Sequence, residues 1–426
     1  MAIFSVKDLL NNINKADTSF HCDLKLITNI GSISTSLEEK VTNDFEEIST
    51  YYEHYPQPKV TAGILTFNEE RSIQRCLISL IEEVDEVIVL DSGSTDRTID
   101  VVKSFNQVLL EKETWVEDFS YHRNLILQKA SNDWVYFIDA DNFIDLVHKG
   151  RIRRIIKILD FLEVKGVVSP TIIEHDNSFS QDTRRMFRKS DNIRFYGKVH
   201  EEPLLSNGME PLNISVELNV YHDGYNPEIV NMTNKINRNI KLTQEMMEKE
   251  STNPKWAFFF ARELYHQKRE LPVGLLMKAQ QLYESSSYKR YYVESVNLLC
   301  RTLFEVRDFK KLNVYLEKLE ELIPNCSDID YFRTMMIFFN LQMKLKSLGD
   351  SLVNALEDYE KSSISFISPT HDHVKNAALG IYSSLGDYQQ VLKMFKMIQS
   401  NEIKQEVKNN LSNIAKVIGS VTENMD

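Results

Sequence analysis

The sequence predicts an α/β domain with a mostly parallel sheet, followed by a region built almost entirely of helices. From Val60 to about residue 163, short apolar runs alternate with amphipathic stretches, as in βαβ units whose buried parallel strands are joined by helices. After about Asn226 the apolar residues recur with helical spacing almost throughout. The 426 residues allow two or three domains at about 150 residues each.

Composition and charge exclude several classes of protein. Hydrophobic residues make up 42% of the chain and charged residues 26%, which are ordinary values for a globular protein and argue against general disorder. The net charge of −12 argues against nucleic acid as a partner, because phosphate neutralisation needs a basic face. The four cysteines are widely separated, so neither a disulfide framework nor a zinc ribbon is expected. No stretch approaches about 18 apolar residues and the N-terminus lacks a signal-peptide pattern, so we expect no membrane span and a cytoplasmic location.

The spacing of apolar residues changes at two points and divides the chain into three parts. Residues 1–55 form an N-terminal arm, residues 56–226 the α/β domain and residues 227–426 the helical domain. Similar phrases at 306–319 and 385–398 look like the turn and second helix of a helical hairpin, and a period near 34 residues is typical of tetratricopeptide arrays. An irregular helical bundle is the alternative. In either case we expect a scaffold for peptide docking or for a homodimer.

The individual elements follow from the same periodicities. A helix is expected in the arm over Ser5–Lys15, and residues 165–225 contain strand-like pieces that suggest an antiparallel addition at the sheet edge. In the α/β domain the expected strands are 60–67, 86–90, 107–111 and 134–139, and the expected helices are 69–80, 95–105, 118–130 and 149–163.

Acidic and small polar residues follow three of these strands. They are the segments 66–70 (TFNEE), 91–96 (DSGSTD) and 139–142 (DADN). In an open parallel sheet, ligands bind beyond the carboxyl ends of the strands, so these segments are candidates for a binding site. Loops and helix N-caps favour the same residue types, and for Ser94 or Thr95 the N-cap role alone would explain the residue.

The pair Asp139 and Asp141 is a candidate metal site. The chain has neither the dinucleotide-binding glycine pattern nor the phosphate loop, so the charge of a bound nucleotide would have to be handled by a metal. Two carboxylates at a strand end suit Mg²⁺ or Mn²⁺, which take oxygen ligands and bridge to substrate phosphates.

Three downstream segments carry further candidates. The basic run 184–188 could stabilise a leaving group, or could be a solvated edge strand. His200, beside Glu201 and Glu202, could be a metal ligand, a base or part of a surface turn. His222, at the end of a strand-like stretch, taken alone is more typical of a hydrogen-bonded core histidine.

Together these motifs resemble a known family. TFNEE, LDSGSTDRT, the Arg123-Asn124 pair and FIDADN, in this order, resemble the motifs of inverting family-2 glycosyltransferases with the Rossmann-like GT-A fold. TRRMFR, GKVHEEP and YHDGYNP resemble more specifically the glycocin S-glycosyltransferases of the sublancin and thurandacin type, which modify a cysteine of a bacteriocin precursor. The resemblance covers nearly the whole chain, including NPKWAFFFARELY at 253–265, and is loose over residues 1–55.

The resemblance also implies roles for individual residues. One departure is His122, where the family often has alanine. The implied nucleobase pocket consists of Thr66, Phe67, Asn68 and Glu69, with Asp91 bonded to the uracil. Arg123 would lie near the uridine or diphosphate, and Arg188 and Lys198 would bind the diphosphate. Asp139 would contact the ribose or the metal, and Asp141 and His222 would bind the metal.

Inverting transfer needs a base, because the acceptor loses its proton as it attacks. A thiol, with a pKa of about 8.5, can be deprotonated by a carboxylate, and Glu201 is our first choice, before Glu202 and then His200. The resemblance implies a metal-dependent enzyme that transfers a hexose, by family expectation glucose, from a UDP-sugar to a peptide cysteine. The alternatives are a family-2 transferase for a cell-envelope saccharide, such as a lipopolysaccharide core, or an inactive helical-repeat adaptor.

Overall fold

The chain forms two compact units, Met1–Ser286 and Ser287–Asp426. The computed structural model describes residues 18–29, 45–222, 232–267, 271–362 and 364–423. The helix expected over Ser5–Lys15 lies outside the described residues.

A large mixed sheet forms the centre of the first unit. Its strand order is β3-β2-β1-β4-β8-β6-β11-β5, with β7 paired to β6, and a separate hairpin joins β9 and β10. Strands β1, β2, β3 and β4 run parallel to one another, whereas β8 runs antiparallel to both β4 and β6. The strands are β1 Val60–Thr66, β2 Glu86–Asp91, β3 Val108–Lys112, β4 Trp134–Phe137, β5 Asn142–Ile144, β6 Val167–Glu174, β7 Phe179–Ser180, β8 Met186–Arg188, β9 Ile193–Tyr196, β10 Glu202–Leu205 and β11 Asn213–His222.

The central strands are apolar on both faces because helices cover both. Every residue of β4 is buried, and β1 and β2 are buried at all but one position each. A side chain at Gly63 would place its Cβ 2.5 Å from Ile126, so glycine allows the helix that carries Ile126 to pack closely on β1. The expected α/β architecture is confirmed, with the carboxyl ends of β1, β2 and β4 at one edge.

Residues 165–225 differ from the expected antiparallel addition at the sheet edge. Strands β6, β8 and β11 lie inside the sheet, β6 and β11 are parallel to each other, and the edge position beyond β11 belongs to β5. This prediction was wrong because strand texture does not reveal which neighbour a strand pairs with. The placement brings the end of β11 beside the segment that follows β4.

Helices cover the sheet and extend the first unit. In the helix after β1, the apolar residues Ile73, Cys76, Leu77 and Leu80 are buried, at the spacing that places them on one face. The helices of this unit are α1 Ser19–Leu24, α2 Phe45–His54, α3 Ile73–Leu80, α4 Thr98–Lys103, α5 Phe119–Lys129, α6 Arg151–Phe161, α7 Met232–Lys249, α8 Pro254–His266 and α9 Val273–Ser285.

The described part of the N-terminal arm packs against the α/β domain. Asp23 of α1 accepts hydrogen bonds from the Tyr52 hydroxyl (2.5 Å) and from Arg154 Nε of α6 (2.5 Å). The Phe20, Tyr52 and Phe161 rings pack with centroids 5.2 to 5.7 Å apart. The arm therefore contributes to the core of the first unit.

The second unit is all-helical in its described residues, as expected. Its two repeated phrases form α11 and α14, whose Asp308 and Asp387 side chains accept from the backbone N–H groups of Lys311 and Gln390 as N-caps. No helix of the described residues is long and apolar enough to cross a membrane. The helices are α10 Tyr292–Glu305, α11 Phe309–Leu322, α12 Ser327–Ser362, α13 Asp372–Ser384, α14 Tyr388–Met397 and α15 Asn401–Glu423.

Candidate active site at the carboxyl edge of the sheet

The ends of β1 and β2 form a small polar pocket. Thr66 and Asp91 are register partners, and both are buried. One Asp91 oxygen, Oδ1, accepts from the N–H groups of Gly93 and Ser94, at 3.0 and 2.9 Å. Among the described residues, Asp91 Oδ2 and Thr66 Oγ1 are buried without a hydrogen-bond partner. Buried polar atoms in native proteins are normally paired, so these two are suited to a polar ligand.

Asn68 joins the loops that follow β1 and β2. It adopts a left-handed conformation (φ 57°), its N–H donates to Ser94 Oγ, and its Oδ1 accepts from the N–H of Thr95 at 2.8 Å. Ser94 and Thr95 therefore link the two loops and do not cap α4. Phe67 is 55% exposed, which leaves its ring available to a ligand.

Glu69 lies between these loops and the acidic residues after β4. Its N–H donates to Thr98 Oγ1 and its carboxylate accepts from Ser72 Oγ at 2.6 Å. Burial, with Asp141 and Asp139 adding to it, raises the pKa of Glu69 to about 7. The acidic side chains at this edge are thus close enough to interact.

Asp139 lies between two arginines from different elements. Arg123 Nη2 of α5 donates to its Oδ1 at 2.7 Å, and Arg185 Nη2 donates to its Oδ2 at 2.7 Å. Burial alone would raise the pKa of Asp139, but Arg185 and Arg123 outweigh it and hold the pKa of this carboxyl well below its usual range. Arg123 Nη1 and Arg185 Nε are buried donors without a partner among the described residues, so the cluster can bind a further anion.

Asp141 and His222, two of the predicted metal ligands, lie next to each other. Asp141 Oδ2 lies 3.1 Å from His222 Nε2, and Glu174 Oε2 lies 2.7 Å from His222 Nδ1. Burial would lower the pKa of His222, but the hydrogen bonds to Asp141 and Glu174 outweigh it and raise the pKa to about 9. A carboxylate on the outer ring nitrogen is the usual orienting partner of a metal-binding histidine. The Asp141 oxygen is a suitable metal donor, and His222 Nε2 becomes one when a cation displaces its proton.

The third predicted metal ligand is engaged elsewhere. Asp139 is held by its two arginines, and within the described ranges no group of three or more His, Cys, Asp and Glu side chains is arranged to hold a metal ion. Asp141 and His222 can still supply part of a coordination sphere that substrate oxygens complete. Mg²⁺ is commonly bound in this way, by one or two protein carboxylates together with substrate phosphates.

The predicted base Glu201 lies at the same edge, in the loop between β9 and β10. Arg123 Nε donates to Glu201 Oε1 at 2.5 Å, so one guanidinium bridges Glu201 and Asp139. No hydrogen bond from a described residue occupies Glu201 Oε2. This oxygen is the free position at which a proton can be accepted.

Glu202 and His200 turn towards α8. Glu202 Oε2 pairs with Lys255 Nζ at 2.6 Å, and both side chains are at least 95% buried. The His200 ring stacks on Phe259 with centroids 4.1 Å apart. The candidates for the base are thereby separated, with Glu201 alone facing Arg123.

Arg188 does not reach the site, so its predicted contact with the diphosphate is wrong. It pairs with Trp134 at the beginning of β4, and its guanidinium bonds Asp160, Asp191 and the carbonyl of Val164. The arginine of the basic run that reaches the site is Arg185, which immediately precedes β8.

Lys198, the second predicted diphosphate ligand, pairs with Glu245 of α7 at 2.6 Å. Its ammonium is therefore already matched by a carboxylate.

Sequence reasoning missed three functional positions at the site. Arg185 was named only within a basic run, and Glu174 at the end of β6 was not singled out. Asn124, known only as the neighbour of Arg123, bonds both backbone groups of Phe195 in β9 (2.9 and 3.0 Å). The Arg-Asn pair in FSYHRN was the available signal for Asn124, whereas Glu174 becomes visible only through the pairing of β6 with β11.

The chain is similar to known glycosyltransferases. Residues 61–213 match the family described as glycosyl transferase family 2. The chain is 38% identical to the SPbeta prophage-derived glycosyltransferase SunS of Bacillus subtilis (strain 168) over 400 residues, 93% of each protein. It is 32% identical over 94 residues to the lipopolysaccharide core biosynthesis glycosyltransferase LpsC of Rhizobium meliloti (strain 1021), 21% of this chain and 34% of LpsC.

Among solved structures, that of S. aureus TarS aligns with 60% of this chain and 54% of its own, at 14% identity and a TM-score of 0.34. The family match and the extent of identity to SunS confirm the expected enzyme class. The chain therefore belongs to glycosyl transferase family 2 and, within it, to the SunS-type glycosyltransferases, the glycocin group that its motifs resemble.

Proposed function

We propose that the protein transfers a hexose, with glucose as the expected sugar, from a UDP-sugar to the cysteine thiol of a bacteriocin precursor peptide. The observation that carries the proposal is the bridge formed by Arg123 between Glu201 and Asp139. It brings a carboxylate with a free oxygen next to a cluster that can bind a nucleoside diphosphate. Membership in the SunS group supports a peptide acceptor.

The donor would occupy the edge formed by β1, β2 and β4. Asp91 Oδ2, a buried acceptor without a partner in the described part of the chain, suits the N3–H of uracil, and Thr66 Oγ1 lies at the adjacent register position. Phe67 would contact the base, and Asp139 would accept from the ribose. Arg123 Nη1 and Arg185 Nε, which have no partner among the described residues, would bind the diphosphate.

Transfer would be one in-line displacement. The acceptor sulfur forms a bond to the anomeric carbon while the bond from that carbon to the diphosphate oxygen breaks, and UDP leaves with the bonding pair. Glu201 Oε2 takes the thiol proton. Because the thiol pKa is about 8.5, a carboxylate is an adequate base for it.

Asp141 and His222 would hold a divalent cation, Mg²⁺ or Mn²⁺, with Glu174 orienting the imidazole. The ion would supply charge neutralisation to the departing diphosphate. Asp139, with both oxygens bonded to arginines, serves better as an acceptor for the ribose than as a metal ligand.

The test is direct. The protein is incubated with UDP-glucose, Mg²⁺ and a cysteine-containing bacteriocin precursor, and the peptide is examined by intact-mass spectrometry for the gain of one hexose. Asp141→Ala should abolish the gain, and Glu201→Gln should slow transfer by about 10²- to 10⁴-fold. A gain that persists when the acceptor cysteine is replaced by serine would exclude a strict requirement for a thiol. Near-normal turnover of Glu201→Gln would exclude Glu201 as the base.

A further inference from the structure

Helix α8 carries a stripe of side chains that contact the loop of the proposed base. Lys255, Phe259 and Glu263 are spaced by four residues, so they lie on one face of the helix. All three contact the loop between β9 and β10, residues 197–201, or the first residue of β10. From the sequence this helix was expected only to belong to a scaffold for peptide docking or for a homodimer.

Lys255 fixes the loop through its backbone and through the next side chain. Its Nζ donates to the His200 carbonyl at 2.8 Å and to Glu202 Oε2 at 2.6 Å. Lys255 and Glu202 are 3% and 4% exposed, so the pair is shielded from solvent. A buried charge pair with this geometry fixes the two residues on either side of Glu201.

His200 is bound by the other two members of the stripe. Its ring stacks on Phe259 at an interplanar angle of 11°, and its Nε2 lies 3.1 Å from Glu263 Oε1. Burial lowers the pKa of His200, which favours the neutral ring, and Nδ1 lies 3.4 Å from Arg262 Nη2. His200 has a left-handed backbone (φ 49°), a conformation that persists where surrounding contacts hold it.

The start of the loop fits against the same helix. Gly197 has φ 109°, and a Cβ on it would lie 2.8 Å from the Trp256 ring. Glycine is thus required both by the conformation and by the close approach. The loop is held by α8 at its first residue and again just before Glu201.

Helix α5 also binds the β9–β10 hairpin. Its Asn124 bonds Phe195 of β9, and its Arg123 bonds Glu201. From these contacts we infer that Lys255, Phe259 and Glu263 are positioning residues. They hold Glu201 where it can take the proton of the peptide thiol. This inference rests on the proposed function of Glu201 as the base. Helix α8 would then contribute to catalysis by positioning the proposed base.

The first arm of the test measures the loop itself in the full-length chain. Amide hydrogen exchange of residues 197–202 is compared between the wild type, Phe259→Leu and Glu263→Leu. Phe258→Leu is the matched control, because Phe258 is an equally buried neighbour in α8. We expect faster exchange in this segment for the two stripe variants and no change for the control. Unchanged exchange in the stripe variants would overturn the inference.

The second arm measures the chemistry, with UDP-glucose and the cysteine peptide. At pH 7, Phe259→Leu and Glu263→Leu should lower kcat by about 10- to 100-fold, with the KM for UDP-glucose changed less than about twofold. Glu263→Gln, which keeps the acceptor oxygen, should restore kcat to within about threefold of the wild type. The loss should shrink as the pH rises past about 8.5, since a thiolate needs no base.

Three kinetic results would overturn the inference: equal loss in Phe258→Leu, a loss carried by KM alone, or a loss that persists above the thiol pKa. If the wild type transfers no hexose to the peptide, the proposed function fails. The exchange measurement then still decides whether α8 holds the loop.

Discussion

The Arg123 side chain binds two carboxylates for which we propose different roles. Its Nε bonds Glu201, which we propose as the base, and its Nη2 bonds Asp139, on the donor side. The guanidinium is planar and keeps these donors in fixed directions, so the positions of the two carboxylates depend on each other. A lysine could not make both contacts with this geometry, because its ammonium is a single point of charge.

Arg185, immediately before β8, and Arg188, its last residue, form a matched pair for mutagenesis. Arg185→Met should lower kcat/KM by about 100-fold, because it removes a charged partner of Asp139 and a donor for the diphosphate. Arg188→Met should leave kcat/KM within about threefold and lower the free energy of unfolding by about 1–3 kcal/mol, since its bonds are structural. Steady-state kinetics and urea unfolding check both. Equal loss of activity in the two variants would return Arg188 to the site.

At the scale of elements, the site depends on how α5 and the β9–β10 hairpin are joined. Asn124 accepts from the N–H of Phe195 and donates to its carbonyl, like a strand neighbour would. This fixes the hairpin relative to α5, and hence Glu201 relative to Arg123. Of the two adjacent residues, Asn124 therefore has a structural role, and Arg123 contacts the proposed base.

Asn124→Ala should separate these partners. We expect kcat to fall about tenfold and the free energy of unfolding to fall by about 1–3 kcal/mol, because two backbone groups lose their partners. Gln128→Ala, at an exposed position of the same helix, should change the free energy by less than about 0.5 kcal/mol and leave kcat unchanged. The measurements are peptide glycosylation and urea unfolding. A stability loss without a change in kcat would show that the hydrogen bonds of Asn124 to Phe195 do not position Glu201.

At the scale of the whole molecule, the described part of the arm belongs to the first unit. Ile27 forms a β-bridge with Val216 of β11, and Asp23 joins α1, α2 and α6 through Tyr52 and Arg154. Strand β11 ends at His222, so the arm supports the strand that carries this residue to the site. We therefore expect the arm to act through stability.

Asp23→Ala should lower the free energy of unfolding of the first unit by about 2–3 kcal/mol, because the buried Tyr52 hydroxyl loses its acceptor. The chain's three tryptophans, Trp115, Trp134 and Trp256, all lie in the first unit, so urea unfolding followed by tryptophan fluorescence reports on this unit alone. Glu53→Ala, at an exposed position of α2, serves as the control and should change the free energy by less than about 0.5 kcal/mol. Equal changes in the two variants would contradict a bracing role for Asp23.

The sequence predicted the parallel half of the sheet and the edge at which the polar strand ends meet, because apolar runs and polar strand ends are local signals. It ranked Glu201 before Glu202 without a structural basis, since adjacent residues point to opposite sides and only the positions of Arg123 and Lys255 show which partner each carboxylate has. It missed Arg185 because the direction of β8 relative to β4 cannot be read from the segment itself. Both failures concern pairing between distant parts of the chain.

The antiparallel course of β8 also determines where the chain tolerates changes in length. Arg185 is bonded through its backbone to Phe137 and Val168, so its position is set by the registers of β8 with β4 and with β6. A single residue inserted between Arg185 and Phe187 would turn the following side chains to the opposite face of the sheet. The segment 175–178, between β6 and β7, is exposed at most positions and enters no such register. Natural variants of this enzyme should therefore differ in length in that turn, and keep the distance from Arg185 to Phe187 constant.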